Sequence, residues 1–117
     1  MAIAVAQLDG QIFVLFGTSS AQIVVNKLNQ SRLEQVCVDS PAAAAILSMK
    51  RVSFSFGKRI LILCGLTNGT IVVYELSKTG SLKLLSEFKE AHEFGVNCLD
   101  AIKYDESSIL SVSGGDD

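Results

Sequence analysis

An internal repeat of 48 residues constrains the fold of this chain of 117 residues more than any other feature. Shifted by 48 positions, residues 12–28 (IFVLFGTSSAQIVVNKL) align without a gap on residues 60–76 (ILILCGLTNGTIVVYEL), and seven of the seventeen pairs are identical. A shift of 49 positions places 60–68 on 109–117, where Ile, Leu and Gly recur. Repeats of roughly 20 to 50 residues indicate a solenoid, a propeller or an array.

The repeat unit consists of short apolar runs that are typical of β-strands. The runs are rich in Val, Ile, Leu and Phe, and turn signals such as Asn68-Gly69 separate them. In the run 52–56 (VSFSF) apolar side chains alternate with serines, which predicts a strand with one buried face. Residues 40–47 (SPAAAAIL) differ, and there we expect a loop or a single helical turn. The predicted strands span 2–8, 11–17, 22–28, 33–38, 47–56, 60–66, 70–76, 81–88, 96–104 and 108–114.

A unit of this length with four strands has the size of a propeller blade. We therefore predict an all-β chain of about two and a half blades, which span about 1–40, 41–90 and 91–117. We expect the final GGDD to be the turn before a further strand, so that the chain is a fragment of a longer one. Such an array cannot close into a ring, and its open edges predict aggregation or oligomers. A self-contained β-sandwich is the alternative, and it would make the repeat a coincidence.

The composition excludes several other classes of protein. Hydrophobic residues make up 49% of the chain, which argues against disorder. The net charge of −2 and the absence of a basic stripe argue against nucleic-acid binding by this segment alone. Three well-separated cysteines fit neither a disulfide framework nor a zinc site, and a reducing, cytoplasmic location suits them. No apolar run reaches the length of a membrane-spanning helix.

Three segments resemble the WD-repeat family. AHEFGVNCL (91–99) resembles its Gly-His box, with alanine in place of the glycine. ILSVSGGDD (109–117) resembles its second strand and the following turn, and YEL (74–76) stands where a Trp-Asp dipeptide normally closes the third strand. The resemblance implies that the predicted blades are four-stranded blades of a WD-repeat β-propeller, a fold that presents rigid rims to partners.

The resemblance also implies a hydrogen-bonded network inside each blade, which joins a His, a Ser or Thr, an Asp and a Trp. In the third unit His92, Ser113 and Asp117 take the first three places. Such a network satisfies each buried polar group and fixes the imidazole tautomer. The other units depart from the pattern, with Ala43, Cys64, Asn68 and Tyr74 at these places in the second and Phe16, Ser20 and Asn26 in the first.

We expect no catalytic, cofactor-binding or metal-binding residue in this chain. His92 is the only histidine, and one histidine without partners cannot hold a metal. Asp116 and Asp117 fit turn chemistry better than a carboxylate pair. The basic pairs at 50–51 and 58–59 would contact an acidic partner or an RNA backbone, or else, as we favour, are solvated rim residues.

These features predict a non-catalytic WD-repeat scaffold. The segments 64–76, 91–101 and 110–117 are similar to WD-repeat adaptor subunits of a tRNA wobble-nucleotide 2′-O-ribose methyltransferase. This resemblance implies that the protein positions tRNA for a separate catalytic subunit, and that its partners are proteins and, through the complex, tRNA. It implies no cofactor, DNA or membrane. The alternative is a generic scaffold in another assembly, such as a ubiquitin-ligase receptor or a trafficking coat; a propeller enzyme would need His, Asp and Arg clustered around a central channel.

Overall fold

The computed structural model describes residues 2–39, 44–54, 58–106 and 108–115, and these residues form ten β-strands. The observed strands begin and end within two residues of their predicted positions. They are β1 (Ala2–Leu8), β2 (Gln11–Gly17), β3 (Ile23–Asn29), β4 (Arg32–Asp39), β5 (Ile46–Phe54), β6 (Arg59–Leu66), β7 (Ile71–Leu76), β8 (Leu82–Phe88), β9 (Val96–Asp105) and β10 (Ser108–Gly115).

The strands form three antiparallel meanders, in which each strand pairs with the next along the chain. The first sheet has the order β1-β2-β3-β4, the second has the order β5-β6-β7-β8, and β9 and β10 form the third. The first strands of the sheets lie side by side, with β1 against β5 and β5 against β9. The sheets are thus stacked face to face around one common edge.

The second sheet is the middle of the stack, and its strands β6 and β7 are buried on both faces. One face packs on the first sheet through residues such as Phe13, Leu15 and Ile62. The other face packs on the third sheet through residues such as Leu63 and Ala101. This position explains why β6 is apolar and buried at nearly every residue, whereas β2 alternates. The predicted alternation of the VSFSF run is observed at its buried Val52 and Phe54, and residues 55–57 lie outside the described part.

The glycine that recurs in the repeat lies where neighbouring sheets approach most closely. A Cβ at Gly17 would overlap the side chain of Ile46, and a Cβ at Gly65 would lie 2.7 Å from Val96 Cγ1. Beside Gly65, the buried Ser48 hydroxyl donates a hydrogen bond of 2.9 Å to the Val96 carbonyl oxygen. The repeated glycine therefore sets the spacing between one sheet and the first strand of the next.

The turns follow the predicted positions but differ in type. Asp9 and Gly10 both have positive φ, 53° and 77°, and form the two-residue turn between β1 and β2. At Asn68-Gly69 only the glycine has positive φ, and the Asn68 side chain instead accepts a hydrogen bond of 3.1 Å from the Thr70 amide. Of the predicted loop or helical turn at 40–47, residues 40–43 lie outside the described part, and β5 already begins at Ile46.

Both ends of the stack present apolar faces. On the first sheet, the strand register places four apolar residues in one row across the outward face. On the third sheet, three large apolar side chains are more than half exposed on the outward face. These are Ile3, Phe16, Val24 and Val38 on the first sheet and Ile102, Leu110 and Val112 on the third.

Candidate interaction surface

The loops at one end of the sheets join into a continuous surface, here called the loop rim, which comprises residues 18–22, 44–45, 67–70 and 89–95. The Ile46 amide donates to the Thr18 carbonyl oxygen at 3.2 Å, and the Thr67 amide donates to the Ala45 carbonyl oxygen at 3.0 Å. The His92 amide donates to the Gly69 carbonyl oxygen, also at 3.2 Å. These bonds join the 18–22 loop to the start of β5, residues 67–70 to residues 44–45, and the 89–95 loop to residues 67–70, so the rim forms one connected border.

Two of the three predicted network residues meet beneath this rim. His92 Nε2 lies 2.8 Å from Ser113 Oγ, in a half-buried position between the 89–95 loop and β10. The contact joins a loop to a strand 21 residues further along the chain. Asp117 lies outside the described residues, so the full network of His92, Ser113 and Asp117 stays a prediction.

Phe94 is the residue of the loop rim that the sequence reasoning missed. Its side chain is 54% exposed, and it lies two residues after the histidine and two before β9. An exposed aromatic side chain on a rigid border is a common anchor for protein partners. Phe94 does not stand out in the sequence, because it lies within the 91–99 segment, which resembles a structural motif.

In the second sheet, a hydrogen bond between Tyr74 and Asp39 stands in place of the His–Ser–Asp–Trp network. Tyr74, in the place of the tryptophan, is buried, and its hydroxyl donates a hydrogen bond to Asp39 at the end of β4. Burial and then the negative charge of Asp39 raise the pKa of Tyr74 well above its ordinary range. The same causes raise the pKa of the neighbouring Cys64 thiol to about 12. A buried tyrosine hydroxyl needs a partner, and this rule predicts that Tyr74 has one without identifying the residue.

The basic pairs occupy different environments. Lys50 Nζ lies 3.3 Å from Asp100 Oδ1 and thus joins β5 to β9, and this contact lowers the pKa of Asp100. Arg59 Nε lies 3.3 Å from Glu75 Oε2 on the adjacent strand β7. Since Lys50 and Arg51 lie within β5, the interpretation of that pair as rim residues is wrong.

A second surface feature, here called the apolar groove, lies between the second and third sheets. It is a cavity of about 450 Å³. Its walls come from β6, β7 and β8 on one side and from β10 on the other, and none of the described lining residues is charged. The lining residues include Leu63, Val73, Leu85, Phe88, Ile109 and Ser111.

The described residues offer neither a metal-binding cluster nor a membrane-spanning helix. No group of three or more His, Cys, Asp or Glu residues among them is placed to hold a metal ion. In the same part of the chain, no helix is long and apolar enough to cross a membrane.

The comparisons with known proteins show a likeness in structure rather than in sequence. No family model matches the sequence, and no curated protein matches it. Among solved structures, the crystal structure of Sqt1 from Saccharomyces cerevisiae matches with a TM-score of 0.71 and 16% sequence identity. The match covers 92% of this chain and 28% of the Sqt1 chain.

Sqt1 is a WD40 β-propeller protein, and the likeness at this identity identifies the fold. The predicted fold class is confirmed at the level of the fold: the chain is all-β, and its two four-stranded sheets and one two-stranded sheet match part of a β-propeller. The blade boundaries at about 1–40, 41–90 and 91–117 stay a prediction.

Proposed function

We propose that this protein is a non-catalytic interaction scaffold whose loop rim binds other proteins. The observation that carries the proposal is the structural match to the propeller protein Sqt1 over 92% of the chain. Propellers hold their loops on a rigid framework, and loops held in this way are frequent binding sites. Since the fold alone does not name a partner, the choice of surface rests on the rim residues themselves.

Two properties of the loop rim support this choice. The backbone hydrogen bonds between its loops hold it in one shape, which lowers the entropy lost on binding. Phe94 gives it an exposed aromatic side chain at the edge of the third sheet. We also propose that His92, Ser113 and Asp117 form one structural network that holds the 89–95 loop in place.

The test is recovery of partners by the tagged chain from cell extract, followed by mass spectrometry. We expect a defined set of proteins that Phe94→Ala loses and that the control Leu33→Ala retains. Leu33 is a suitable control because its side chain is also exposed, at 49%, and because it lies on β4 of the first sheet, outside the loop rim. Equal recovery by both variants would place the partner surface elsewhere, and no recovery would contradict the scaffold function.

A finer proposal is that the partner is the catalytic subunit of a tRNA 2′-O-ribose methyltransferase, for which this protein positions tRNA. It rests on the resemblance of segments 64–76, 91–101 and 110–117 to adaptor subunits of that enzyme. Removal of the gene would then abolish ribose methylation at the wobble nucleotide, as measured by mass spectrometry of purified tRNA. Unchanged methylation, with other partners recovered, would leave a generic scaffold in another complex.

A further inference from the structure

Two β-bulges lie directly beneath the loop rim, one in each of two adjacent sheets. In β5 the pairing with β6 skips Leu47, and in β9 the pairing with β10 skips Asn97. Each of these residues is the second of its strand, and each is exposed to solvent. A bulge turns the side chain of its extra residue away from the regular alternation, and bulges are frequent beside binding sites. Both bulges are set by pairings between the first and second strands of one sheet, so the same irregularity recurs where a first strand leaves the rim.

The bulge in β5 brings Leu47 against the loop that carries Phe94. Leu47 is 39% exposed, and its Cδ1 atom lies 2.6 Å from the position that a Cβ of the buried Gly95 would take. The same Cβ position is 3.5 Å from the Cα atom of Thr67. Because Gly95 has no side chain, Leu47 packs on the backbone next to Phe94. Leu47, Thr67, Phe94 and Gly95 thus form one area, here called the rim patch, which carries two large exposed apolar side chains and joins the second and third sheets.

The charge beside the rim patch is negative. Among the segments of the loop rim only the 89–95 loop holds charged residues, which are Lys89, Glu90 and Glu93. Glu93 is exposed and directly precedes Phe94, whereas Lys89 lies at the far end of the loop, next to β8. An aromatic ring attracts cations through its face, and a carboxylate beside the ring adds to this attraction. The rim patch therefore favours a ligand that combines an apolar side chain with a positive charge.

We propose that the rim patch binds an extended segment of a partner protein in which an arginine lies close to a large apolar residue. The apolar side chain packs on Leu47 and Phe94, and the guanidinium group lies over the Phe94 ring and beside the Glu93 carboxylate. Arginine suits this position better than lysine, because its planar group stacks on an aromatic ring and pairs with a carboxylate through two hydrogen bonds. This inference rests on the proposed scaffold function and names the chemistry of the partner at the loop rim.

The probe is a phage-displayed library of random short peptides, which is selected against the complete 117-residue chain. We expect the enriched peptides to share an arginine within a few positions of a large apolar residue. The affinity of an enriched peptide is then measured by fluorescence anisotropy. Replacing its arginine by glutamate should weaken binding at least about tenfold, and replacing it by glutamine should weaken binding less, because only glutamate repels the Glu93 carboxylate.

Matched variants of the protein test the position. Leu47→Ser removes an apolar contact of the rim patch, and Leu33→Ser makes the same change at the second residue of β4, outside the rim. Glu93→Lys reverses the charge beside Phe94, and Glu87→Lys makes the same change on β8. All of these side chains are exposed, so the fold tolerates the substitutions. We expect Phe94→Ala and the two rim variants to weaken binding of the enriched peptide at least about tenfold, and the two controls to stay within about twofold of the unchanged protein.

The charge reversal gives a readout that a loss of folding would not produce. Glu93→Lys should bind the glutamate version of the peptide more tightly than the unchanged protein does, because the signs of both charges are exchanged. Glu87→Lys should leave the affinity for that peptide unchanged.

Three results would overturn the inference. The first is that no peptide is enriched, the second is that the enriched peptides are acidic or carry no charge, and the third is equal binding by the rim variants and their controls. Proteins recovered from cell extract through Phe94, combined with any of these results, would retain the scaffold function and reject only the proposed partner chemistry. Arginine peptides that bind at the rim patch while no protein is recovered would retain the binding site and contradict the scaffold function, so the two failures are distinguishable.

Discussion

Gly65 shows that a neighbouring sheet can restrict the size of the side chain at a single position. A Cβ at this position would lie 2.7 Å from Val96 Cγ1 and closer still to the Ser48 hydroxyl oxygen. We expect Gly65→Ala to lower the free energy of unfolding by about 1–3 kcal/mol, because the packed neighbours must move. Urea denaturation followed by circular dichroism measures the change.

The control for this change is the double variant Gly65→Ala with Val96→Ala. Removing the Val96 methyl groups makes room for the new Cβ, so the double variant should lose less stability than the sum of the two single variants. Strictly additive losses would show that the close approach of Gly65 to Val96 does not limit the packing.

Cys64 and Tyr74 make the fold sensitive to alkaline pH. Burial, and then the charge of Asp39, raise the pKa of Cys64 from 9.0 to about 12 and raise that of Tyr74 above its ordinary 10.0. Both groups bind their protons more tightly in the folded chain. Their contribution to stability is therefore complete below about pH 9 and is lost as the pH rises, at about 1.4 kcal/mol per pH unit for each group.

Urea unfolding at a series of pH values tests this expectation. The unchanged protein should begin to lose stability above about pH 9, where the Cys64 thiol ionises in the unfolded chain. Cys64→Ala should shift the onset to about pH 10, where the tyrosine hydroxyl ionises. An identical pH profile for the two proteins would contradict the assignment to Cys64.

At the scale of the elements, the contact between His92 and Ser113 fastens the 89–95 loop to β10. We expect His92→Ala and Ser113→Ala each to lower the free energy of unfolding by about 1 kcal/mol, with a coupling energy of about 0.5–1.5 kcal/mol in the double variant. Ser108→Ala is the matched control on the same strand, because the Ser108 hydroxyl donates a hydrogen bond of 2.8 Å to the exposed Asp105 carboxylate and not to the 89–95 loop. Additive losses for the pair would indicate that the 2.8 Å contact contributes no stability of its own.

The strands were predictable from the sequence because each apolar run has the length of one strand and ends at a turn residue. The contact between His92 and Ser113 was also predictable, because both residues lie in segments that resemble a known motif. The bond between Tyr74 and Asp39 was not, because it joins two blades and depends on how the sheets stack. The apolar groove was not predictable from the sequence either, because its walls come from strands of two different sheets.

At the scale of the whole molecule, both outer faces of the stack are apolar and uncovered. Contiguous apolar surface of this kind favours association in water. We expect the isolated chain to form concentration-dependent oligomers, and we expect Ile3→Glu or Val112→Glu to reduce them because each charge lies on one outer face. Thr79→Glu, in an exposed turn, is the control of equal charge. Size-exclusion chromatography measures the effect, and a stable monomer of 12.5 kDa at all concentrations would contradict it.

The meander order of the strands also affects the order in which the sheets can fold during synthesis of the chain. Every pairing within the first sheet joins neighbours in sequence, so that sheet has all of its strands once residue 39 has been synthesised. Short-range pairings of this kind form quickly, and a growing polypeptide folds from its N-terminus onward. The first sheet can therefore form while the second is still in the ribosome. We therefore expect Asp39 to be in place before Tyr74 packs against it, so that the first sheet forms the surface on which the second sheet assembles.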